Sequence, residues 1–267
     1  MKSSLINMAV FSGTGNTLTA ALALAEELRE TGREVRICPM ERNPNFSLPQ
    51  DAAIGIAVTV ACFSTYPTAW RFIDSLPPGE GREAFFLATM GGFGGGMQGP
   101  VREALKSKGY VPIGSLILTM PSNYGNKTLD EAKNRILVNE SLAAAKKFAR
   151  DLVQGSAEWP GGIPLVSNFF ASLAHGRRPW DFFYRLFPLS VLRDKCTGCG
   201  ICAELCPEEN ITIAEELASI GKKCQSCQRC IAFCPNRAIH VPGKPAEQYC
   251  GTDLGTIRDF LKAKADH

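Results

Sequence analysis

Leu5-Ile-Asn-Met-Ala-Val-Phe-Ser12-Gly-Thr-Gly-Asn-Thr17-Leu-Thr-Ala-Ala-Leu-Ala-Leu-Ala-Glu-Glu-Leu-Arg-Glu30 stands near the start of the chain. Leu5 to Phe11 is short, apolar and closed by Ser12-Gly13, the pattern of a buried strand. From Thr17 to Glu30, Leu18, Ala21, Leu22, Ala25 and Leu28 fall on one helical face, and Gly32 ends the helix. Strand, small polar loop and helix together form the first unit of a doubly wound sheet. The loop Ser12 to Thr17 joins hydroxyl donors to two glycines that let backbone amides approach an anion at a helix amino terminus. It has no lysine, which argues against a nucleoside triphosphate loop, and Leu18 stands where a dinucleotide fingerprint requires glycine. An ordinary glycine-rich turn with an N-cap is the alternative.

Outward from this unit, strands are expected at Glu34 to Cys38, Ala53 to Val60, Ala84 to Met90 and Leu116 to Met120. Helices are expected at Thr68 to Leu76, Val101 to Lys108 and Leu129 to Gln154, the last with Val138, Leu142, Ala145, Ala149 and Leu152 in register. Strands alternating with helices predict an α/β doubly wound parallel sheet of five strands, with ligands beyond the carboxyl ends of the strands. Besides Ser12 to Thr17, two loops lie there. In Thr59 to Pro67, Phe63 and Tyr66 are candidates to stack on a ligand or to cover the sheet, and Cys62 reads as a buried structural thiol. The other runs from Thr89 through Met90, Gly91, Gly92, Phe93 and Gly94 to Gly99; its alternative is a flexible loop without a ligand. Asn123 and Tyr124 could edge the same pocket, although an Asx turn explains Asn123 equally well.

Phe11-Ser-Gly-Thr-Gly-Asn-Thr17 resembles the phosphate loop of flavodoxins. The resemblance implies FMN, its phosphate bonded by Ser12, Thr14, Asn16 and Thr17 through side chains or amides, with Gly13 and Gly15 leaving room. It further implies flavin-ring contacts from Thr59, Phe63 and Tyr66 and from Thr89, Met90, Gly91, Gly92, Phe93 and Gly94, with Phe93 as a lid.

The second half of the chain is organised by cysteine. Cys196-Thr-Gly-Cys199-Gly-Ile-Cys202-Ala-Glu-Leu-Cys206-Pro207 is answered, with every cysteine 28 positions later, by Cys224-Gln-Ser-Cys227-Gln-Arg-Cys230-Ile-Ala-Phe-Cys234-Pro235. Zinc uses four ligands, usually in two separated pairs, and has no need of a third cysteine at the same short interval. Disulfides need an oxidising compartment, for which nothing else in the sequence speaks. The repeat resembles bacterial two-cluster ferredoxins, which implies a small α+β domain with two [4Fe-4S] clusters. In that family the fourth cysteine of each copy serves the other cluster. One cluster is thus expected on Cys196, Cys199, Cys202 and Cys234, the other on Cys224, Cys227, Cys230 and Cys206.

The domains expected are 1–155 for FMN, 156–192 as an aromatic-rich connector, 193–245 for the clusters, and 246–267 as a C-terminal helix with Leu254, Ile257, Phe260 and Leu261 on its apolar face. The connector carries Phe169, Phe170, Trp180, Phe182, Phe183, Tyr184 and Phe187. Packing between the domains is the favoured reading, since a small ferredoxin module has little core of its own; a protein-docking patch and a membrane-surface segment are the alternatives. His175 has no evident partner.

The 267 residues carry a formal charge of +3, but eight metal-bound thiolates would outweigh it, so basicity is no argument for nucleic acid. No apolar run approaches a membrane span, and Leu5 to Phe11 is shorter than most signal-peptide cores, so a cytoplasmic protein is expected. Proteins that join an amino-terminal flavodoxin-like domain to a carboxy-terminal two-cluster ferredoxin, mostly from anaerobic microbes, are similar to this chain along nearly its whole length. The resemblance implies an electron-transfer iron-sulfur flavoprotein relaying electrons between two [4Fe-4S] clusters and FMN. Its partner would be a redox protein or a small-molecule electron acceptor. A carrier or docking module with an empty flavin site, and an iron-sulfur redox sensor, are the other readings. No carboxylate pair, histidine or nucleophile stands out as catalytic.

Overall fold

The structure is a computed structural model and describes residues 1–42, 46, 48–92, 96–123, 130–160, 175, 176, 178–244 and 249–263. Its first part alternates β1 (Leu5–Val10), α1 (Asn16–Glu30), β2 (Glu34–Pro39), β3 (Ala53–Ala61), the two-residue β4 (Ser64–Thr65), α2 (Pro67–Ser75), β5 (Glu83–Met90), α3 (Gln98–Ser107), β6 (Val111–Thr119) and α4 (Glu131–Gln154). The strand order is β2-β1-β3-β5-β6, with β4 folded back antiparallel on β3. All pairs along that order are parallel, for example Ile6 opposite Val35 and Ala53, and Thr59 opposite Thr89. With β4 set aside this is the flavodoxin-like order, whose switch point lies between β1 and β3.

Period-two alternation sends Met8 and Val10 to one face of the sheet and Ala9 and Phe11 to the other. The first face packs on Leu24 and Leu28 of α1 and Phe148 and Leu152 of α4. The second packs on Trp70 and Ile73 of α2 and Val101 and Leu105 of α3. Leu22 sits on the rim of the buried arc of α1 and is 38% exposed, so it is not one of the core residues its spacing suggests. Asp130 caps α4 by accepting from the Lys133 amide at 3.0 Å, and left-handed Gly155 stops it; Leu129, the expected first residue, is outside the described residues.

The fifth long strand starts at Val111, five residues before the expected Leu116. Pro112 and Gly114 make that stretch read as a turn, but β6 is the sheet edge, where a proline costs no ladder bond. The register shifts at Ala84/Phe85, and a side chain at Gly114 would meet Ala157 Cβ at 2.7 Å, so the glycine admits the segment after α4.

The second part is small. After α5 (Arg178–Leu186) come β7 (Ser190–Val191), α6 (Ile201–Glu204), β8 (Ile211–Ala214), β9 (Leu217–Ile220), α7 (Arg229–Ala232) and β10 (Ile239–His240), and then α8 (Leu254–Lys262). β8 pairs with β9 and β7 with β10, both antiparallel. Its own core holds Cys202, Ile211, Ala218, Ile231 and Ile239. Leu205 and Phe233 instead join the cluster of α1 and α4, as do Ile257, Phe260 and Leu261 of α8.

In the connector, Trp180 is buried between the parts, 4.9 Å from the ring of Tyr66. Phe182 is 64% exposed because two residues along a helix from Trp180 lies its opposite side, and Phe187, just past the end of the helix, is 40% exposed, so interdomain burial does not extend to them. Phe169 and Phe170 are outside the described residues. His175 has partners after all, stacking on Trp70 at 3.9 Å and facing Asp74 at 3.7 Å. Among the described residues no helix is long and apolar enough to cross a membrane.

Candidate functional site: a glycine loop under two cysteine quartets

The loop between β1 and α1 is held from all sides. Gly15 takes φ 102°, a left-handed conformation, and α1 starts one residue later. The side chains that the flavodoxin resemblance assigns to phosphate are engaged within the protein: Ser12 Oγ accepts from the Leu18 amide at 3.2 Å, and Asn16 Nδ2 donates to the Pro121 carbonyl at 2.9 Å. Thr17 Oγ1 lies 2.8 Å from Thr59 Oγ1 and 2.7 Å from Thr89 Oγ1, and Asn123 Nδ2 donates to Thr14 Oγ1. The amides of Gly13, Thr14, Gly15, Asn16 and Thr17, by contrast, donate to no acceptor among the described residues. Amides at a helix amino terminus, with the helix dipole behind them, are the donor set of an anion site.

A cleft opens from this loop over the ends of β3 and β5. Gly13, Thr14, Asn16, Thr59, Tyr66, Thr89, Met90, Gly91 and Asn123 line it, and Cys227 and Gln228 close it from the second part. Asn123 Oδ1 and Gln228 Oε1 of these lining residues are buried without a protein partner among the described residues, as is Asn16 Oδ1, which lies against Gly251. Buried acceptors without donors are costly, which fits a site made for a ligand with hydroxyls as well as phosphate. Phe63 and Gly92 stay outside the lining, Phe63 being 44% exposed, and Phe93, Gly94 and Tyr124 are outside the described residues.

Thr59 to Pro67 is a hairpin, with Cys62 and Phe63 turning between Ala61 and Ser64 at φ 49° and 61°. Two consecutive left-handed residues make the two-residue hairpin turn that glycine and asparagine usually fill. Cys62 is exposed at this tip, which corrects its reading as a buried thiol. Its neighbours still desolvate it enough to push the thiol above its ordinary pKa. Tyr66 lies beneath, buried, its ring 5.3 Å from Phe11 and its hydroxyl donating to the Ser226 carbonyl at 3.5 Å.

The eight repeat cysteines surround two separate cavities. Cys196, Cys199, Cys202 and Cys234 line the outer one, and Cys206, Cys224, Cys227 and Cys230 the inner one. The crossing is a consequence of the chain path: each CxxCxxC turn folds around a cavity that the opposite copy closes with its cysteine before proline. The copies match in detail, since Cys206 Sγ accepts from the Asn210 amide at 3.4 Å and Cys234 Sγ from the Ala238 amide at 3.2 Å, four residues on in each case. Cys224 Sγ also accepts from the Ser226 amide at 3.3 Å. None of the eleven cysteines is in a disulfide.

Among the described residues no group of three ligand side chains is gathered tightly enough for a single metal ion. A tetrahedral zinc at about 2.3 Å from each sulfur would bring the sulfurs to about 3.8 Å from one another, whereas a cluster of several irons holds them farther apart. Burial pushes the Cys202 thiol up to about 11 and the Cys227 thiol up to about 12. Thiolates in such surroundings need a cationic core, and the donor set fits an iron-sulfur cluster in each cavity.

Arg229 joins the inner cavity to the loop. It is fully buried, its Nη2 and Nε donate to the Ser12 carbonyl at 2.7 and 3.2 Å, and its Nη1 donates to the Leu205 carbonyl at 3.0 Å. Nη1 also meets Glu41 Oε1 at 2.5 Å, both side chains almost completely buried. The guanidinium lies 5.5 Å from the Phe11 ring centre. Close backbone approach completes the junction: a Cβ on Gly13 would stand 2.3 Å from the Cys227 carbonyl oxygen, and one on Gly15 2.6 Å from the Thr252 amide. The Gly251 amide donates to the Thr14 carbonyl at 2.8 Å, and Thr19 Oγ1 donates to the Gly251 carbonyl at 2.6 Å. Sequence reading passed over Arg229, Glu41, Gln228 and Gly251. One signal was available: the second repeat has a charge at Arg229 where the first has Ile201.

A family model described as 4Fe-4S binding domain matches residues 189–212, which hold the first cysteine copy. A search of curated proteins finds no match. Similar solved structures include a flavodoxin from the domain Archaea (13% identity, 56% of this chain and 99% of that one, TM-score 0.40). A Streptococcus pneumonia TIGR4 flavodoxin follows at 15% identity, 56% and 98% coverage, and a TM-score of 0.41. An NAD(P)H:quinone oxidoreductase from Methanothermobacter marburgensis has 14% identity, 56% and 99% coverage, and a TM-score of 0.38. By strand order and domain match, the chain joins a flavodoxin-like α/β fold to a 4Fe-4S binding domain.

Proposed function

We propose that this chain is an iron-sulfur flavoprotein that passes electrons between two [4Fe-4S] clusters and FMN, in the cytoplasm, on behalf of a redox partner protein or a small-molecule acceptor. The observation that carries the reading is the junction itself, where the loop bearing Cys227 and Gln228 closes the cleft of Gly13, Thr14 and Asn16. The amides of Gly13 to Thr17 would hold the phosphate, and Asn123 and Gln228 offer acceptors for hydroxyls. Cys196, Cys199, Cys202 and Cys234 would hold the outer cluster, Cys206, Cys224, Cys227 and Cys230 the inner one. Bound FMN exchanges one or two electrons, while clusters exchange one at a time. The chain's part is to bring the two groups together and to exclude water between them; Phe11, Tyr66 and Trp180 form an apolar wall beside the junction.

Anaerobically purified protein should hold about eight irons and one FMN per chain. Protein with eight irons that takes up no FMN on titration would refute the relay.

A second reading has its own support. Gly13 and Gly15 give their room to the backbone of Cys227 and Thr252, and the enclosed part of the cleft is only about 70 Å³. In that case the loop is a seat for the cluster module, and the chain is a one-electron carrier without flavin. Steady reduction of a small acceptor in two-electron steps would exclude it.

A further inference from the structure

The two cavities are built on one repeat, and of the equivalent lining positions at which the copies differ, among them Thr197 and Gln225 or Gly200 and Gln228, one pair sets an aliphatic side chain against a fully buried cation. Residues 28 apart in the two copies, Ile201 and Arg229, each line the cavity of their own copy. The outer cavity therefore has an aliphatic side chain where the inner one has a fully buried guanidinium. Its counter-ion, Glu41, lies outside the inner lining while Arg229 is part of it, so the cationic residue of the pair stands nearer the inner cavity than the anionic one.

Other charges near the cavities are placed differently. Lys195 lines the outer cavity but is exposed, where water and salt screen it. Glu208 lines the inner cavity, and its carboxylate is bound by Arg71 at 2.6 Å and by Thr68 Oγ1 at 2.8 Å. Arg229 thus acts through low-dielectric protein. It is also fixed in place by two carbonyls and a carboxylate.

Resting on the two-cluster reading, we propose that Arg229 raises the reduction potential of the inner cluster against the lowering effect of its burial, so that an electron on the chain comes to rest beside the Ser12–Thr17 loop rather than at the outer cluster. The step is the gain of one electron by the inner cluster, from a low-potential one-electron donor such as dithionite or a reduced ferredoxin. It adds one negative charge to the cluster, and the fixed cation offsets that charge. Amide donors separate the two quartets only slightly: Cys206 and Cys224 of the inner one accept such bonds at 3.4 and 3.3 Å, and Cys234 of the outer one accepts one at 3.2 Å.

The test is a mediated redox titration of the full-length, anaerobically reconstituted chain, followed by electron paramagnetic resonance, after iron has been counted. Removing the cation alone would leave Glu41 buried and uncompensated, so the variant is Arg229→Met with Glu41→Gln. One of the two one-electron waves should fall by at least about 59 mV, a tenfold loss of electron affinity, while the other stays in place. Arg229→Lys keeps the charge but loses the fork that reaches Ser12 and Leu205; its wave should stay near that of the parent, which a purely structural arginine would not allow. Should the double variant fail to load, the lysine variant decides alone, and a fallen wave there overturns the proposal. Eight irons with both waves unmoved, or both moved equally, overturns it as well. Fewer than eight irons in the parent chain overturns the two-cluster reading and this proposal with it.

Discussion

Gly13 has an unexceptional backbone conformation, so what it supplies is space. Adding one methyl at this position sets a carbon 2.3 Å from the Cys227 carbonyl, and two backbones rather than a flexible side chain must yield. Gly13→Ala should therefore cost about 1–3 kcal/mol, read as a lower urea midpoint in the cluster-loaded chain. Gly92→Ala, with nothing within 4 Å, should leave the midpoint unchanged; equal effects of the two would sink the junction. At this scale the sequence was partly legible. Glycines in Ser12 to Thr17 announce close approach to something, but a ligand and a second backbone leave the same trace. Arg229 was hidden because its meaning depends on Ser12, 217 positions away, and on Glu41, 188 away.

Elements were easier to read where one face is buried and the other wet. The period of α1 and the apolar runs of β1, β3 and β5 gave these elements to within a residue or two, because each packs directly on the sheet core. The start of β6 was lost because an edge strand tolerates the proline and glycine that would break a central one. The tail helix α8 shows its apolar face plainly in the sequence, but not the surface it covers. Ile257 is completely buried in the cluster that also holds Leu205 and Phe233, and α8 lies against β2, so it fastens the cluster module to the edge of the sheet domain. Ile257→Ala should cost about 2–5 kcal/mol of unfolding free energy. A loss below about 1 kcal/mol, within the range of surface substitutions and mild truncations, would mean that α8 is not docked in solution.

The whole molecule divides its stability unequally. The sheet has a core on each face, whereas the cysteine module has a buried apolar cluster of only five residues of its own, one of them the ligand-type Cys202. So small a core does not hold a module of this size without further cross-links, and the two groups of four thiolates would supply them through metal. Stripping iron with a chelator under anaerobic, reducing conditions should then raise amide exchange in the β8–β9 and β7–β10 ladders by about 100-fold or more, the signature of local unfolding. The amides of β1, β3 and β5 should exchange as before, because their partners lie within the sheet. Between these extremes lies the loop. Gly251 and Cys227 cover it from the second part, so the amides of Gly13 to Thr17, which donate to no protein acceptor among the described residues, should become faster exchanging once the module loosens. If β8 and β9 stay as protected without iron as with it, the module folds by its own contacts and metal is not its keystone. If β1 and β3 loosen together with them, the two parts unfold as one unit, and the junction at Arg229 and Gly13 is then strong enough to tie the sheet to the clusters.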